Sequence, residues 1–435
     1  MQTIAKFQVV LVLLMMTACG GGGGGSSNTV AQQISTPAVD PCAVTTVTPT
    51  FPNSYAGVFS NPTPSTRFPN SIIRMIDLKD YYPASLPANS TCTDRTQIAR
   101  NRFTLELDRL KALGTEVVWI VNYGPWNDIN QVPWQFNKEK FQIPESEMTY
   151  FVTQAKSKGL KVYLGWQMWV TDILGNSYPY GANLTSTQMT NVMLAHRNIM
   201  NYLATYANTT GIDGLAVDWQ AFNPSNLSDP TIKEIYISNL STTIDQIKSS
   251  FTGKTVIGFN GVIFPDVRLI SKVDMARISL GANVTSLQNQ TLDVPTVKTA
   301  FLQSITQSYA QTGDLTQLNP SIKIEFQFAI QSRDKYFVDG WVEDGFCVTG
   351  PANEPCIQTS YTTDFSVQAI GTEAAFQASL VQNLYPVGAV TTGVYWHTDS
   401  IIPGEDATQL DFPNLSASIR NKPAESIVKY WYSKN

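Results

Sequence analysis

Histidine is nearly missing from this chain. His196 and His397 are the only two in 435 residues, and they do not sit at metal-ligand spacing. A histidine-based metal site is therefore not expected, and nucleophile systems built on histidine have little to draw on. Charge is thin as well, at 14% of residues against 43% hydrophobic. That is too little charge for a disordered chain and enough apolar material for a large core. The 29 basic and 34 acidic residues leave a net charge of −5. Such a balance lacks the basic footprint that nucleic-acid binding needs, and it suits a neutral ligand better than a polyanion. Nothing in the pattern points to oligomerisation, so the chain reads as a monomer.

The first apolar run, Val9–Met16, is too short to span a bilayer, and no later segment is longer. It leads into Met16-Thr17-Ala18-Cys19, which resembles the lipobox of bacterial lipoproteins. The resemblance implies that Cys19 is lipidated and becomes the mature N-terminus; an ordinary secretory signal is the alternative. Gly20–Gly25 and Ser26-Ser27 follow at once and read as a flexible tether. Gly20 in place of Asp implies outer-membrane sorting by the same resemblance. The expected organisation is a signal over 1–19, a tether and N-terminal wrap over 20–66, and a folded domain over 67–435. The expected location is the bacterial cell envelope, with membrane contact through the lipid.

Removing Cys19 leaves Cys42, Cys92, Cys347 and Cys356, an even number that suggests two disulfides in an exported protein. Cys347 and Cys356 lie close enough to close one loop, and Cys42–Cys92 would then pin the N-terminal segment. Three pairings are formally open.

From residue 70 onward apolar runs alternate with helical periodicity. Strands are expected at Ile72–Ile76, Val117–Val121, Lys161–Leu164, Ile212–Val217, Thr255–Phe259, Met275–Leu280, Ile322–Phe328 and Thr392–Trp396. Helices are expected through Phe103–Leu113, stopped by Gly114, and over 145–158, 186–208, 230–250, 295–311, 365–384 and 423–432, with a short turn near 266–271. Continuous Val/Ile/Leu strands fit a parallel sheet covered on both faces. An open doubly wound sheet is the competitor. No Gly-x-Gly-x-x-Gly turn follows the first strand, and aromatic and polar residues cluster just past the strand ends, as at the active face of a closed barrel. The fold class is therefore α/β, a (β/α)8 TIM barrel.

Several stretches resemble clan A glycoside hydrolases, particularly the family 113 β-mannanase type. They are Leu107–Trp126 (LDRLKALGTEVVWIVNYGPW), Ala155–Gly165 (AKSKGLKVYLG), Gln368–Ala378 (QAIGTEAAFQA), Gly393–Trp396 and Asn421–Ile427 (NKPAESI). Together they span about 70 to 435 in order. The resemblance implies hydrolysis of O-glycosidic bonds by two carboxylates at the ends of strands four and seven, with no cofactor and no metal. The chemistry needs one carboxylate beneath the anomeric carbon and a proton donor on the leaving oxygen.

On strand seven, Ile324-Glu325-Phe326 resembles the family's nucleophile segment, and Glu325 is the expected nucleophile. A structural, hydrogen-bonded Glu is the competing reading, because a carboxylate in an apolar strand is costly without partners or a task. On strand four the pattern breaks. Asp213-Gly214-Leu215-Ala216-Val217-Asp218-Trp219-Gln220 places Gln220 where the acid/base Glu belongs. The segment also resembles the chitinase-type motif of family 18, with Ala216 and Gln220 in place of its acids. Three explanations stand. Asp218 serves as the acid; or another carboxylate does, such as Asp77, Asp80, Asp172, Glu343 or Asp399; or the chain binds sugar without hydrolysing it.

Trp126, Trp166, Trp169, Trp219 and Trp396 fall just past strand ends, where indoles can stack on sugar C–H faces. Trp396 resembles the strand-eight Trp that floors the reacting-sugar site, and His397 follows it. Asn122, Tyr123, Gln167, Asn260, Gln327 and Arg333 are further polar contacts by position; core filling is the alternative for each. The acids Asp339, Glu343 and Asp344 in the loop from 333 to 363 read as solvated. The functional expectation is a glycoside hydrolase-like lipoprotein acting on a neutral β-linked polysaccharide or oligosaccharide. The alternatives are a silent carbohydrate-binding barrel and a purely structural surface protein.

Overall fold

The computed structural model describes residue 42 and residues 67–79, 92–123, 127–128, 138–167, 170–171, 184–218, 229–259, 263–282, 284–287, 289–339, 362–396 and 417–434. Cys19 and nearly all of the tether lie outside these residues. Eight strands alternate with eight helices: β1 (Ile73–Lys79), α1 (Arg95–Leu113), β2 (Val117–Tyr123), α2 (Glu145–Ser157), β3 (Lys161–Gln167), α3 (Ser186–Thr210), β4 (Gly214–Ala216), α4 (Pro230–Ser250), β5 (Lys254–Ile257), α5 (Val267–Ile270), β6 (Met275–Ser279), α6 (Val294–Thr312), β7 (Lys323–Phe328), α7 (Phe365–Val381), β8 (Val387–Trp396) and α8 (Pro423–Tyr432). Every strand pairs in parallel with its sequence neighbours, and β8 pairs with β1. The sheet is a closed barrel, so it has no free edge. Asn127–Asp128 and Val170–Thr171 form a separate short pair.

The helices begin where short polar side chains can take orphan N–H groups. Asp94, Asp229, Asp293 and Asp364 cap α1, α4, α6 and α7, and Thr185 with Gln188 makes a capping box on α3. Prolines in the first turns of α4, α6 and α8 lose no helical bond.

Two shells of side chains result. The outer shell fills the space between strands and helices, with Ile76, Leu78, Val118, Ile120, Val162, Leu164, Phe326 and Phe328 facing the helix residues. The inner shell fills the barrel itself: Met75, Val117, Trp119, Val121, Tyr163, Ala216, Val256, Phe259, Met275 and Ala389. The barrel centre is thus a packed core, as expected of eight strands.

Two glycines make that packing possible. A Cβ on Gly214 would lie 2.6 Å from the Tyr163 ring, so only glycine leaves the ring its place. Gly258 has φ +83°, a conformation that favours glycine, and a Cβ there would meet the Arg277 carbonyl at 2.4 Å. Val256 faces inward and Ile257 outward, so regular alternation would turn Phe259 out. The left-handed step at Gly258 turns it in.

The chain ends close the ring. Tyr432 on α8 donates to the carbonyls of Met75 on β1 (2.7 Å) and Val390 on β8 (3.1 Å). Arg109 on α1 makes a two-pronged ion pair with Glu425 on α8, whose side chain is fully buried. At the other end, the Cys42–Cys92 disulfide holds residue 42 to the start of α1, and Asn101 donates to the Cys42 carbonyl. The expected Cys347–Cys356 bond lies outside the described residues.

Most expected elements agree with the structure to within a few residues. The first helix begins at Arg95, eight residues before Phe103, and among the strands β8 differs most, starting at Val387 instead of Thr392. Its first residues, Val387-Gly388-Ala389-Val390-Thr391, are small, and the barrel wants them so: a Cβ on Gly388 would lie 2.8 Å from the Lys323 side chain. β4 is shorter than expected, reduced to Gly214–Ala216. Asp213 leaves the strand pattern to bind Val162, its side chain accepting from that N–H (2.9 Å) while its own N–H reaches the carbonyl (2.8 Å). Short helical turns at Val284–Leu287, Leu315–Leu318 and Tyr336–Asp339 were not signalled by periodicity.

Candidate active site

In a parallel barrel the C-terminal ends of the strands form the functional face. Beneath that face lies a buried charge cluster that joins five strands. Arg277 on β6 donates to Asp77 on β1 (2.6 Å) and lies 3.5 Å from Glu325 on β7. The same Glu325 oxygen accepts from the Trp119 indole on β2 (3.0 Å) and from the Thr391 hydroxyl on β8. The Arg277 guanidinium lies over the Phe259 ring (4.5 Å) and the Trp119 ring (5.3 Å). Arg277, Asp77 and Glu325 are at most 2% exposed. Oε2 of Glu325 and Oδ1 of Asp77 have no hydrogen-bond partner among the described residues.

Burial pushes the Glu325 carboxyl above the usual carboxylate range, against the opposing pull of Arg277 and the Thr391 and Trp119 donors. Burial also weakens Arg277 as a base, but Asp77 and Glu325 more than compensate and hold it above its ordinary value. Asp218, just past β4 and 2% exposed, accepts from the Phe259 N–H (3.3 Å) and adds to the negative potential at Arg277.

The structure thus brings together three of the carboxylates singled out by sequence: Glu325, Asp218 and Asp77. It places a guanidinium between Asp77 and Glu325, bonded to the first and 3.5 Å from the second. Gln327 follows Glu325 by two positions on the same face of β7, nearer the strand end, and is half-buried.

Other expected contacts sit elsewhere. Trp166 is fully buried in the outer shell and packs on His196 of α3 (5.4 Å), because Tyr163 and Gly165 take the inward positions of β3. Burial pulls the His196 imidazole down to about 3, so the ring is neutral. Asn122 is a bracket: its side chain both donates to and accepts from the Ile143 backbone (3.0 and 2.9 Å), fixing the approach to α2. Arg333 is buried, donates to Gln331 (3.1 Å), and does not reach an open face. Only the backbone of Tyr123, Gln167, Trp396 and Asp339 is described. Gln220, Trp126, Trp169, Trp219, Asn260, His397, Asp80, Asp172, Glu343, Asp344 and Asp399 lie outside the described residues.

Sequence reasoning missed Arg277, Trp119 and Thr391. Arg277 had a signal of the same kind as Glu325: a charge inside an apolar strand, Met275-Ala276-Arg277-Ile278, which calls for a buried partner.

The same architecture occurs in solved glycoside hydrolase structures. A GH113 β-1,4-mannanase superposes with a TM-score of 0.53 at 14% identity, covering 83% of this chain and 98% of that one. A complex of a GH113 β-1,4-mannanase gives 0.52 at 14% identity with the same coverage. The GH113 β-mannanase AaManA from Alicyclobacillus acidocaldarius, in complex with ManMIm, gives 0.50 at 13%, covering 83% of this chain and 96% of that one. The protein therefore has the (β/α)8 fold of these enzymes; at this identity the likeness is one of fold. No protein-family model matches the chain, and no curated protein sequence does.

Proposed function

We propose that this barrel binds an oligosaccharide at the C-terminal ends of its strands and does not hydrolyse it. The observation that carries the reading is the enclosure of Glu325. It is 0% exposed and held by Trp119, Thr391 and Arg277 beneath the level of Gln327. A nucleophile must reach the anomeric carbon, and a second carboxylate must stand across the bond. Strands four and seven share one pattern: an acid in the enclosed layer, then an amide two residues on, Asp218 to Gln220 and Glu325 to Gln327. Amides cannot attack or give up a proton as carboxylates do, yet they hydrogen-bond hydroxyls well. The Trp residues past the strand ends supply stacking surface in this reading. The chain would be held in the cell envelope, at the outer membrane, as a monomer on a tether lipidated at Cys19.

One observation favours the hydrolase reading instead: the second oxygen of Glu325 has no partner among the described residues. Isothermal titration with mannan, galactan and cello-oligosaccharides, alongside hydrolysis assays of the same panel, separates the two. Binding without turnover supports the proposal. Turnover by wild type that disappears in Glu325→Gln would overturn it and make Glu325 the nucleophile. A Gln220→Glu/Gln327→Glu variant tests whether returning both carboxylates creates activity.

A further inference from the structure

One histidine stands in the outer shell with its polar atoms unused. His196 on α3 is 0% exposed and packs on the Trp166 ring near the end of β3, with centroids 5.4 Å apart. Among the described residues neither of its ring nitrogens has a hydrogen-bond partner, and neither has the buried indole nitrogen of Trp166. The shell they share is otherwise apolar, with Leu164, Met193, Ile199, Met200 and Val217 in the same cluster. Buried polar atoms left unmatched against each other are costly, and they mark a weak joint. The groups around it give a proton no welcome. Arg197, next on α3 and bonded to Asn239 of α4 (2.8 Å), repels it. From α4 comes Tyr236, kept un-ionised by burial and by Asp218, while the charged residues of that helix are exposed. From β4 comes Asp218, tied to the Phe259 N–H. From β3 comes Tyr163, whose ring lies in the barrel interior. From α2 comes Glu145, which binds Tyr202 further along α3. Of these only Arg197 acts on the imidazole by charge. Burial is the larger cause that keeps the ring neutral, and the Val217 backbone, short of a full hydrogen bond, opposes it.

A proton that the closed packing cannot hold is held freely once the ring meets water. We propose that His196 is a proton-triggered joint beneath the ligand face: an imidazolium there parts α3 from the ends of β3 and β4. Gln167 follows Trp166, and Asp218 follows Val217, so the joint lies under the part of the mouth that these strands carry. The proposal rests on the saccharide-binding reading above and adds its regulation. The open form gains by protonation from the ordinary imidazole value of 6.5 downward, while the closed form takes no proton until about 3. The stability of the closed form is therefore full above the ordinary value and is lost as pH falls below it. At pH 5 the opening equilibrium should stand about thirtyfold above its value at pH 8.

The test is amide hydrogen exchange, corrected for intrinsic rates, on the exported chain and on His196→Phe, which keeps a ring on Trp166 and cannot titrate. His196→Leu is the second variant, for the case that the larger ring does not fit. In wild type the amides of Trp166, His196 and Val217 should open about thirtyfold more often at pH 5 than at pH 8. They should also exchange faster than those of Ile324–Phe326 on β7 and respond less to urea, as a local opening does. In the variants the pH difference at these amides should be lost. Glycan at tenfold its dissociation constant should slow the wild-type exchange about elevenfold, by mass action on the closed form. A pH difference that survives both substitutions overturns the proposal. So does exchange at Val217 with the rate and urea response of β7, which would mean global unfolding alone. Glycan that binds and leaves the exchange unchanged overturns the link between joint and site. No binding by any glycan removes the saccharide-binding reading, while the variants still decide the joint.

Discussion

Replacing Arg277 by Met should be among the most damaging single changes this barrel can suffer. The guanidinium is 2% exposed and is the one described cation beside Asp77 and Glu325, which are 1% and 0% exposed. Met fills similar volume and keeps contact with the Phe259 and Trp119 rings, so the change tests charge more than packing. Breaking a buried ion pair by removing one partner costs about 3–5 kcal/mol, because the other charge stays buried. With a urea slope of about 3 kcal/mol/M, the unfolding midpoint falls by roughly 1 M or more. Acid should repair the loss. Burial already raises the Glu325 carboxyl, and without Arg277 the main opposing pull is gone, so Glu325 binds its proton more tightly folded than unfolded and the folded state recovers as pH falls toward the unfolded carboxylate range. A triple variant, Asp77→Asn/Arg277→Met/Glu325→Gln, should regain most of the midpoint, since no charge remains to be buried. A midpoint within about 0.2 M of wild type, or a deficit that is the same at pH 7 and pH 5, would refute this account of the cluster.

Three further outcomes follow from the same packing. Glu325→Gln isolates one proton. The folded Glu325 pKa lies above its unfolded value, so wild type should lose stability relative to the variant as pH rises from the unfolded value through the folded one; a flat or opposite trend in paired urea midpoints counts against it. Gly165→Ala should cost about 1–3 kcal/mol, because the new Cβ would meet the Phe259 ring at 2.2 Å; the thermal midpoint and the near-ultraviolet signal of Trp119 should both shift, and Phe259→Leu should recover part of the loss. Cys92→Ser opens a link across 50 positions, worth about 4 kcal/mol by loop entropy. Cys42→Ser should match it, and the double variant should lose nothing more.

Much of the barrel was legible because its strands and helices carry different periods. α8 is read to the residue, Pro423–Tyr432, with Pro423 in its first turn. The start of β8 was not legible, since Gly388 and Ala389 have no side chain that announces a strand, and only the neighbouring Lys323 stem shows why they are small. Glu325 stood out as a charge in an apolar run. Its burial depth did not, because depth depends on barrel shear and on which layer Trp119 and Arg277 occupy. Trp166 was misplaced by looking at distance from the strand end alone; applying alternation from Tyr163 would have sent it outward. The disulfide from Cys42 to Cys92 was one of three open pairings, and only the fold brings these two to 4.8 Å between Cα atoms.

The closure of the ring by α8 has a consequence for how the chain is made. β1 is synthesised first among the strands, yet one of its two flanking partners is β8, and Tyr432 joins both strands only from the last turn of the last helix. At about 5–20 residues per second, β1 waits tens of seconds for that partner. Until then the growing sheet is open, with an unpaired edge of strong β-formers. A ribosome stalled shortly before Pro423 would therefore leave a chain with every strand present and no lock across its seam. Such a chain is the form most exposed to edge-to-edge association. Completion of α8, Pro423–Tyr432, thus acts as a quality mark: only a chain that carries it can tie Met75 and Val390 together.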